Sequence, residues 1–193
     1  MFESTTADLL TPDIDMGKPQ FAAEALRDSM IAWRHNFHRH PELGCHELLT
    51  SETIASLLQR MDIEVHGGIG GTGVVGVLRR GSGSRSIGLR ADMDALAIPE
   101  RNSFAHRSRH EGRMHACGHD GHMAMLLGAA HQLAATDSFD GTVFFIFQPG
   151  EEPGLGARAM LADGLFERFP ADSIYAMHNM PSLPVGTFAV RPG

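Results

Sequence analysis

Thr142-Val143-Phe144-Phe145-Ile146-Phe147-Gln148-Pro149-Gly150-Glu151-Glu152 is the stretch that decides the fold. Residues 142–147 are an almost unbroken run of apolar, aromatic and β-branched side chains, which predicts a strand covered on both faces. Pro149 and Gly150 stop it, and two adjacent carboxylates follow. Working outward, His122 to Ala135 has a helical period, with Met125, Leu126, Ala129 and Leu133 on one face. Thr72–Arg80 and Ser86–Ala91 predict strands joined through Gly81-Ser82-Gly83-Ser84. Further strands are expected at Ser173–Met177 and Gly186–Val190, with a short helix at Ala157–Ala162 ended by Gly164. Toward the start, Phe21, Ala25, Met30, Trp33 and Phe37 recur near a period of about 3.6 from Pro19 until Pro41 stops the helix. A second helix fits Glu47–Met61, with Ile54, Leu57, Leu58 and Met61 on one stripe. Residues 1–18 show no period and read as a loose lead-in; residues 99–118 are polar and irregular. Strands alternating with helices predict an α/β domain, residues 19–193, with helices on both faces of a mostly parallel central sheet.

Composition narrows the function. The 193 residues carry a formal charge of -7, and no Lys/Arg run exceeds two residues. Nucleic acid is therefore not expected as a partner, because phosphate binding needs a basic patch. No apolar run reaches the roughly 18 residues of a membrane span, and Met1-Phe2-Glu3-Ser4 does not open a signal peptide. Two cysteines, Cys45 and Cys117, make no disulfide framework, so a cytoplasmic location is expected. Histidine, at 12, is the unusual count.

In open α/β sheets ligands bind beyond the carboxyl ends of the strands. Three expected strands end in acidic or metal-competent residues: Asp92 and Asp94, then Glu151 and Glu152, then His178. A fourth group, Met114-His115-Ala116-Cys117-Gly118-His119-Asp120-Gly121-His122, stands before a long helix. Thiolate and imidazole suit zinc and other first-row divalent ions. Residues i and i+2 of an extended segment point the same way, so Cys117 and His119 could face one ion. A buried cysteine beside a loop histidine would give the same short pattern. Ligating imidazoles need acceptors behind them, a role open to Asp120. Of two neighbouring carboxylates in extended backbone, one could bind metal while the other takes a proton from the attacking water; a solvated acidic turn is the alternative. Asp92 and Asp94 could orient ligand histidines, bind metal or cap a turn, and His178 could be a core histidine. His35, His38 and His40 are structural or support the ligands. The glycines of 67–73 do not open a helix after a strand, so no nucleotide loop is expected.

The segment 114–122 followed by Met125-Leu126-Leu127-Gly128-Ala129-Ala130 resembles the signature of the M20 metallopeptidases. The similar subgroup is that of hippurate hydrolases, N-acyl-amino-acid amidohydrolases and plant indole-acetyl-amino-acid hydrolases. Other shared stretches are Trp33-Arg34 through His40-Pro41-Glu42-Leu43-Gly44, Leu89 to Leu96, Phe147 to Glu152, Met177 to Pro181, and Arg191-Pro192-Gly193. The resemblance implies a three-layer α/β sandwich. It implies Cys117, His119, Glu152 and His178 as metal ligands, Glu151 as general base, and Asp92 and Asp94 as supporting residues. It also implies zinc or manganese (cobalt or nickel being alternatives), as a two-metal site in a complete enzyme, and small N-acyl amino acids as substrates. Gly150 and Pro153 stand where the family pattern has alanine and glycine. The family pattern is also about twice this length. A lid domain that makes the homodimer, and a further ligand histidine, belong to the part not matched here. The chain is thus expected to be the N-terminal part of the metal-binding catalytic domain of an amidohydrolase. Two other functions stay open: a metal-binding remnant without turnover, and a cysteine hydrolase using Cys117.

Overall fold

The computed structural model describes residues 23–190. The lead-in 1–18, Phe21 and Arg191-Pro192-Gly193 lie outside that range. Helices α1 (Ala23–Arg39) and α2 (Leu48–Arg60) come first, followed by strands β1 (Glu64–Ile69), β2 (Gly73–Arg80) and β3 (Ser86–Asp92). Then come α3 (His119–Ala134), β4 (Gly141–Gln148), α4 (Gly156–Ala162), α5 (Leu165–Arg168) and β5 (Ser173–Ala176). The strands form one sheet in the order β1-β2-β4-β3-β5.

The sheet is mixed. β3 is parallel to both β4 and β5, whereas β2 is antiparallel to β4 and β1 to β2. From β3 the chain steps to β4 on one side, and from β4 it returns past β3 to β5 on the other. Parallel crossovers are right-handed, so these two opposite steps place α3 on one face and α4 with α5 on the other. That makes the three layers. β4 is buried at every position, and its alternation feeds two cores. Val143, Phe145 and Phe147 pack with Trp33, Phe37, Ile54, Leu58 and Leu127 beneath α1, α2 and α3. Phe144 and Ile146 pack with Ile69, Val75, Met160, Leu165 and Phe169 beneath α4 and α5.

Several expectations need correction. β1 carries no strand signal in the sequence, because Glu64-Val65-His66-Gly67-Gly68-Ile69 mixes polar residues and glycines. The glycine-rich stretch is the β1–β2 hairpin turn, seated on α4: a Cβ at Gly70 would lie 2.5 Å from the Met160 backbone nitrogen. Past Gly164 the chain forms the additional short helix α5. Gly186–Val190 is not a strand, and its side chains are exposed throughout. Among the described residues, apolar alternation there has no neighbouring strand to pair with, and pairing is what makes a strand. Among the described strands β5 bonds only to β3, with Ile174 and Tyr175 exposed.

Candidate metal centre

The parallel strands β3, β4 and β5 end on the same side of the sheet. β3 ends at Asp92, which sits opposite Gln148 of β4. Beyond these ends lie Asp94, Glu151, Glu152 and His178, and the start of α3 brings His119 and His122. The expected residues do converge, although by different local geometry. Cys117, His119 and Glu152 offer ligand atoms within 4.8 Å of one another, and so do Asp92, His119, His122 and His178. Cys117 Sγ lies 3.5 Å from His178 Nε2, which joins the two groups.

Cys117 and His119 are not in one extended segment. α3 starts at His119, one turn earlier than its apolar period shows, with Gly118 as the N-cap residue in the left-handed region at φ 91°. That sharp turn, not strand alternation, brings the thiol and the imidazole together. A Cβ on Gly118 would collide with Asn179 Oδ1. Left-handed backbone alone costs an L-residue about 1–2 kcal/mol, so Gly118→Ala should lower thermal stability by at least that much. It should also weaken metal binding; unchanged melting and affinity would contradict this account of the turn.

Glu151 and Glu152 likewise sit in a turn, not in extended backbone. Asp94 holds that turn. Its Oδ1 accepts the Glu151 N–H at 3.0 Å and its Oδ2 the Glu152 N–H at 2.9 Å. The fully buried Glu47 accepts the neighbouring Gly150 N–H at 2.7 Å and the Thr72 hydroxyl at 2.6 Å. Sequence reasoning missed Glu47, for which no motif signals a role. It also missed His122 as a potential ligand, though three-residue spacing on a helix puts it on one side with His119.

The imidazoles are oriented by what their Nδ1 atoms meet. His119 Nδ1 donates to the Asp94 carbonyl at 2.8 Å, and His178 Nδ1 to the Asn179 carbonyl at 2.8 Å. A carbonyl only accepts, so each Nε2 is left as the lone-pair nitrogen. His119 Nε2 is buried with no hydrogen-bond partner. It faces Asp92 at 3.7 Å and Glu151 and Glu152 at 3.9 Å. A buried lone pair aimed among carboxylates and a thiol fits a divalent cation, and a soft sulfur with imidazole and carboxylate suits zinc and its neighbours.

The electrostatics agree. Burial opposes charge on Asp92. The hydrogen bond with His122 at 2.7 Å and the fields of His119 and Arg90 outweigh it and hold the carboxyl down at about 2. Asp94 is also lowered: burial works against it, but His119 and the two glutamate N–H groups prevail. Burial, reinforced by Glu152, Glu151 and Asp92, pushes the Cys117 thiol up to about 11. A free thiol of that kind is no nucleophile, which argues against a cysteine hydrolase. A bound cation would reverse the effect, since a coordinating thiol is deprotonated. Because the folded state holds Asp92 ionised more firmly than its ordinary 3.8, it stabilises the metal-free fold above about pH 4. That stability, on the order of 2 kcal/mol, is lost as pH falls from about 4 toward about 2. Asp92→Asn should therefore flatten the acid limb of metal-free unfolding; an unchanged limb would contradict the assignment.

Other histidines fall outside this cluster. His35 stacks on His106 with ring centroids 3.7 Å apart. His115 is buried, and burial lowers it to about 4. Asp120 meets His38 at 2.9 Å and Arg34 at 3.3 Å, so its carboxylate hydrogen-bonds these residues and not a ligand-type imidazole.

A three-layer α/β domain with thiol, imidazoles and carboxylates gathered at its strand ends has the architecture of a metallohydrolase. The model of peptidase family M20/M25/M40 matches residues 88–193, more than half of the chain, and the chain belongs to that family. It is 50% identical over 148 residues to a hippurate hydrolase of Campylobacter jejuni, covering 77% of this chain and 38% of that protein. It is 40% identical to the IAA-amino acid hydrolase ILR1-like 4 of Arabidopsis thaliana, covering 86% of this chain and 37% of that one. Among solved structures, the YXEP protein of Bacillus subtilis, described as a dinuclear metal-binding peptidase of the M20 family, superposes with a TM-score of 0.84 at 39% identity. That match covers 89% of this chain and 48% of the other. The chain thus spans less than half the length of these relatives. Members of the family are metal-dependent hydrolases. No helix among the described residues is long and apolar enough to cross a membrane.

Proposed function

We propose that this chain is the N-terminal part, residues 19–193, of a catalytic domain that hydrolyses N-acyl amino acids of the hippurate type. Cys117, His119, Glu152 and His178 would hold the metal, zinc or manganese, with cobalt or nickel as alternatives. The observation that carries this is the buried, unpartnered Nε2 of His119, with its tautomer set by Asp94. A divalent ion held there supplies Lewis-acid polarisation of the scissile carbonyl. Glu151 does the proton work. Its carboxylate lies 3.9 Å from His119 Nε2 and is 39% exposed, so it reaches both the centre and entering water. It takes a proton from the attacking water and returns it to the leaving nitrogen, giving a carboxylic acid and a free amino acid. An apolar groove of about 560 Å³ between α1 and α3, lined by Leu26, Met30, Ile31 and Met125, opens beside Gly118 and His122. It gives space for an apolar acyl group. The hippurate and IAA-amino acid hydrolases among its relatives support this substrate class, and the two free cysteines fit a reducing cytoplasm.

A second reading is metal binding without turnover, since the described residues by themselves gather groups that could hold an ion. Assaying N-benzoyl and N-acetyl amino acids with and without a chelator separates the two. Chelator-sensitive turnover supports the amidohydrolase; bound metal with no turnover supports the remnant. Turnover untouched by complete metal removal would contradict both.

A further inference from the structure

We infer that His38, clamped between Asp120 and Glu100, is a positioning residue that fixes the first turn of α3 and with it the ligand nitrogen of His119. This rests on the metal-centre reading above and names a residue that touches neither metal nor substrate. His38 lies in the last turn of α1. Its Nδ1 is 2.9 Å from Asp120 Oδ2 and its Nε2 is 3.1 Å from Glu100 Oε1. The three side chains are 7%, 1% and 2% exposed. Ionised carboxylates only accept hydrogen bonds, so both ring nitrogens must donate, and His38 is an imidazolium. Its pKa is accordingly raised, the hydrogen bond to Asp120 being the largest cause. Arg34, at 3.3 Å from the same Asp120 oxygen, supplies a second positive charge. The two buried carboxylates are thus compensated by the buried imidazolium and by Arg34, which reaches Asp120 from the surface.

The clamp matters because of where Asp120 stands. It follows His119 directly, in the first turn of α3. The N-cap residue there is Gly118, and no side chain caps the helix start. The Asp120 side chain is therefore the tie that locks this turn to α1. Through Glu100, which also accepts the Ser108 backbone N–H and the Asn102 side-chain amide, His38 ties in the irregular segment 99–113 as well. Releasing the tie lets the first turn of α3 shift, and the Asp94 carbonyl then no longer holds His119 Nδ1 in place.

The test is Zn²⁺ affinity by chelator competition, measured on folded protein well below its melting temperature. His38→Phe should weaken Zn²⁺ binding by tenfold or more, the range seen when a contact supporting a ligand is lost. Glu100→Gln, which keeps the His38–Asp120 bond, should weaken it less. His38→Gln, which restores one donor toward Asp120, should recover part of the loss. In metal-free protein the ¹⁵N shifts of His119 should report one tautomer, with Nδ1 protonated, and a mixture of tautomers in His38→Phe. A purely structural staple would lower the melting temperature and leave affinity and tautomer unchanged, which would overturn the inference. If His38→Phe does not fold, the ordering of wild type, Glu100→Gln and His38→Gln decides. Absence of saturable Zn²⁺ binding by the wild-type chain would overturn the metal-centre reading itself, and this inference with it.

Discussion

Replacing Glu151 with glutamine should cut chelator-sensitive hydrolysis of N-benzoylglycine by about 10²–10⁴-fold, the usual contribution of a positioned general base. Bound metal should stay the same. Gln keeps the volume and the backbone of the turn, so the Asp94 bond to the residue 151 N–H survives. What disappears is the carboxylate proposed to accept the proton of the attacking water. The loss should appear in kcat, because Glu151 is not needed to hold the ground-state substrate. Retained turnover would remove Glu151 from the role of base. Lost metal would make it a ligand instead.

Replacing His119 with alanine should have the largest effect on the metal. Among the described residues, His119 is the residue common to both convergent groups, Cys117 with Glu152 and Asp92 with His122 and His178. Losing a contact that merely supports a ligand costs about 10–100-fold in affinity, so losing this ligand should cost more. The cavity should also leave Glu152 without the imidazole 3.9 Å away and Asp92 with His122 as the imidazole beside it, and the metal-free fold should weaken. Calorimetry of both variants against zinc checks this; wild-type affinity in His119→Ala would place the metal elsewhere.

The fold was largely legible because its main signals are strong. β4 is a continuous apolar run, and a strand buried on both faces needs nothing else to declare it. The helices α1 and α2 were marked by buried stripes and by Pro41. The weak points have physical reasons. α3 begins three residues before its apolar period, since its first turn is spent on His119, Asp120 and Gly121. β1 is a partly exposed edge strand with glycines, so it carries little alternation. Gly186–Val190 has the composition of a strand but no partner among the described residues. At the site, the residue types in 114–122 and at 151–152 were readable, and the structure does gather them. How they are gathered was not. Positive φ at Gly118 and the two N–H bonds to Asp94 are tertiary facts that periodicity does not encode. Asp120 shows the limit most clearly: its neighbours in sequence are ligand-type residues, yet its side chain turns to His38.

We propose that Cys117, His119, Glu152 and His178 form one divalent-metal centre. Titrating metal-stripped protein with Zn²⁺ and Mn²⁺ by calorimetry, beside His119→Ala, tests it most directly. Saturable binding by the wild-type chain, with proton release from the Cys117 thiol and loss of binding in the variant, is the predicted result. No saturable binding, or equal binding by the variant, would contradict it.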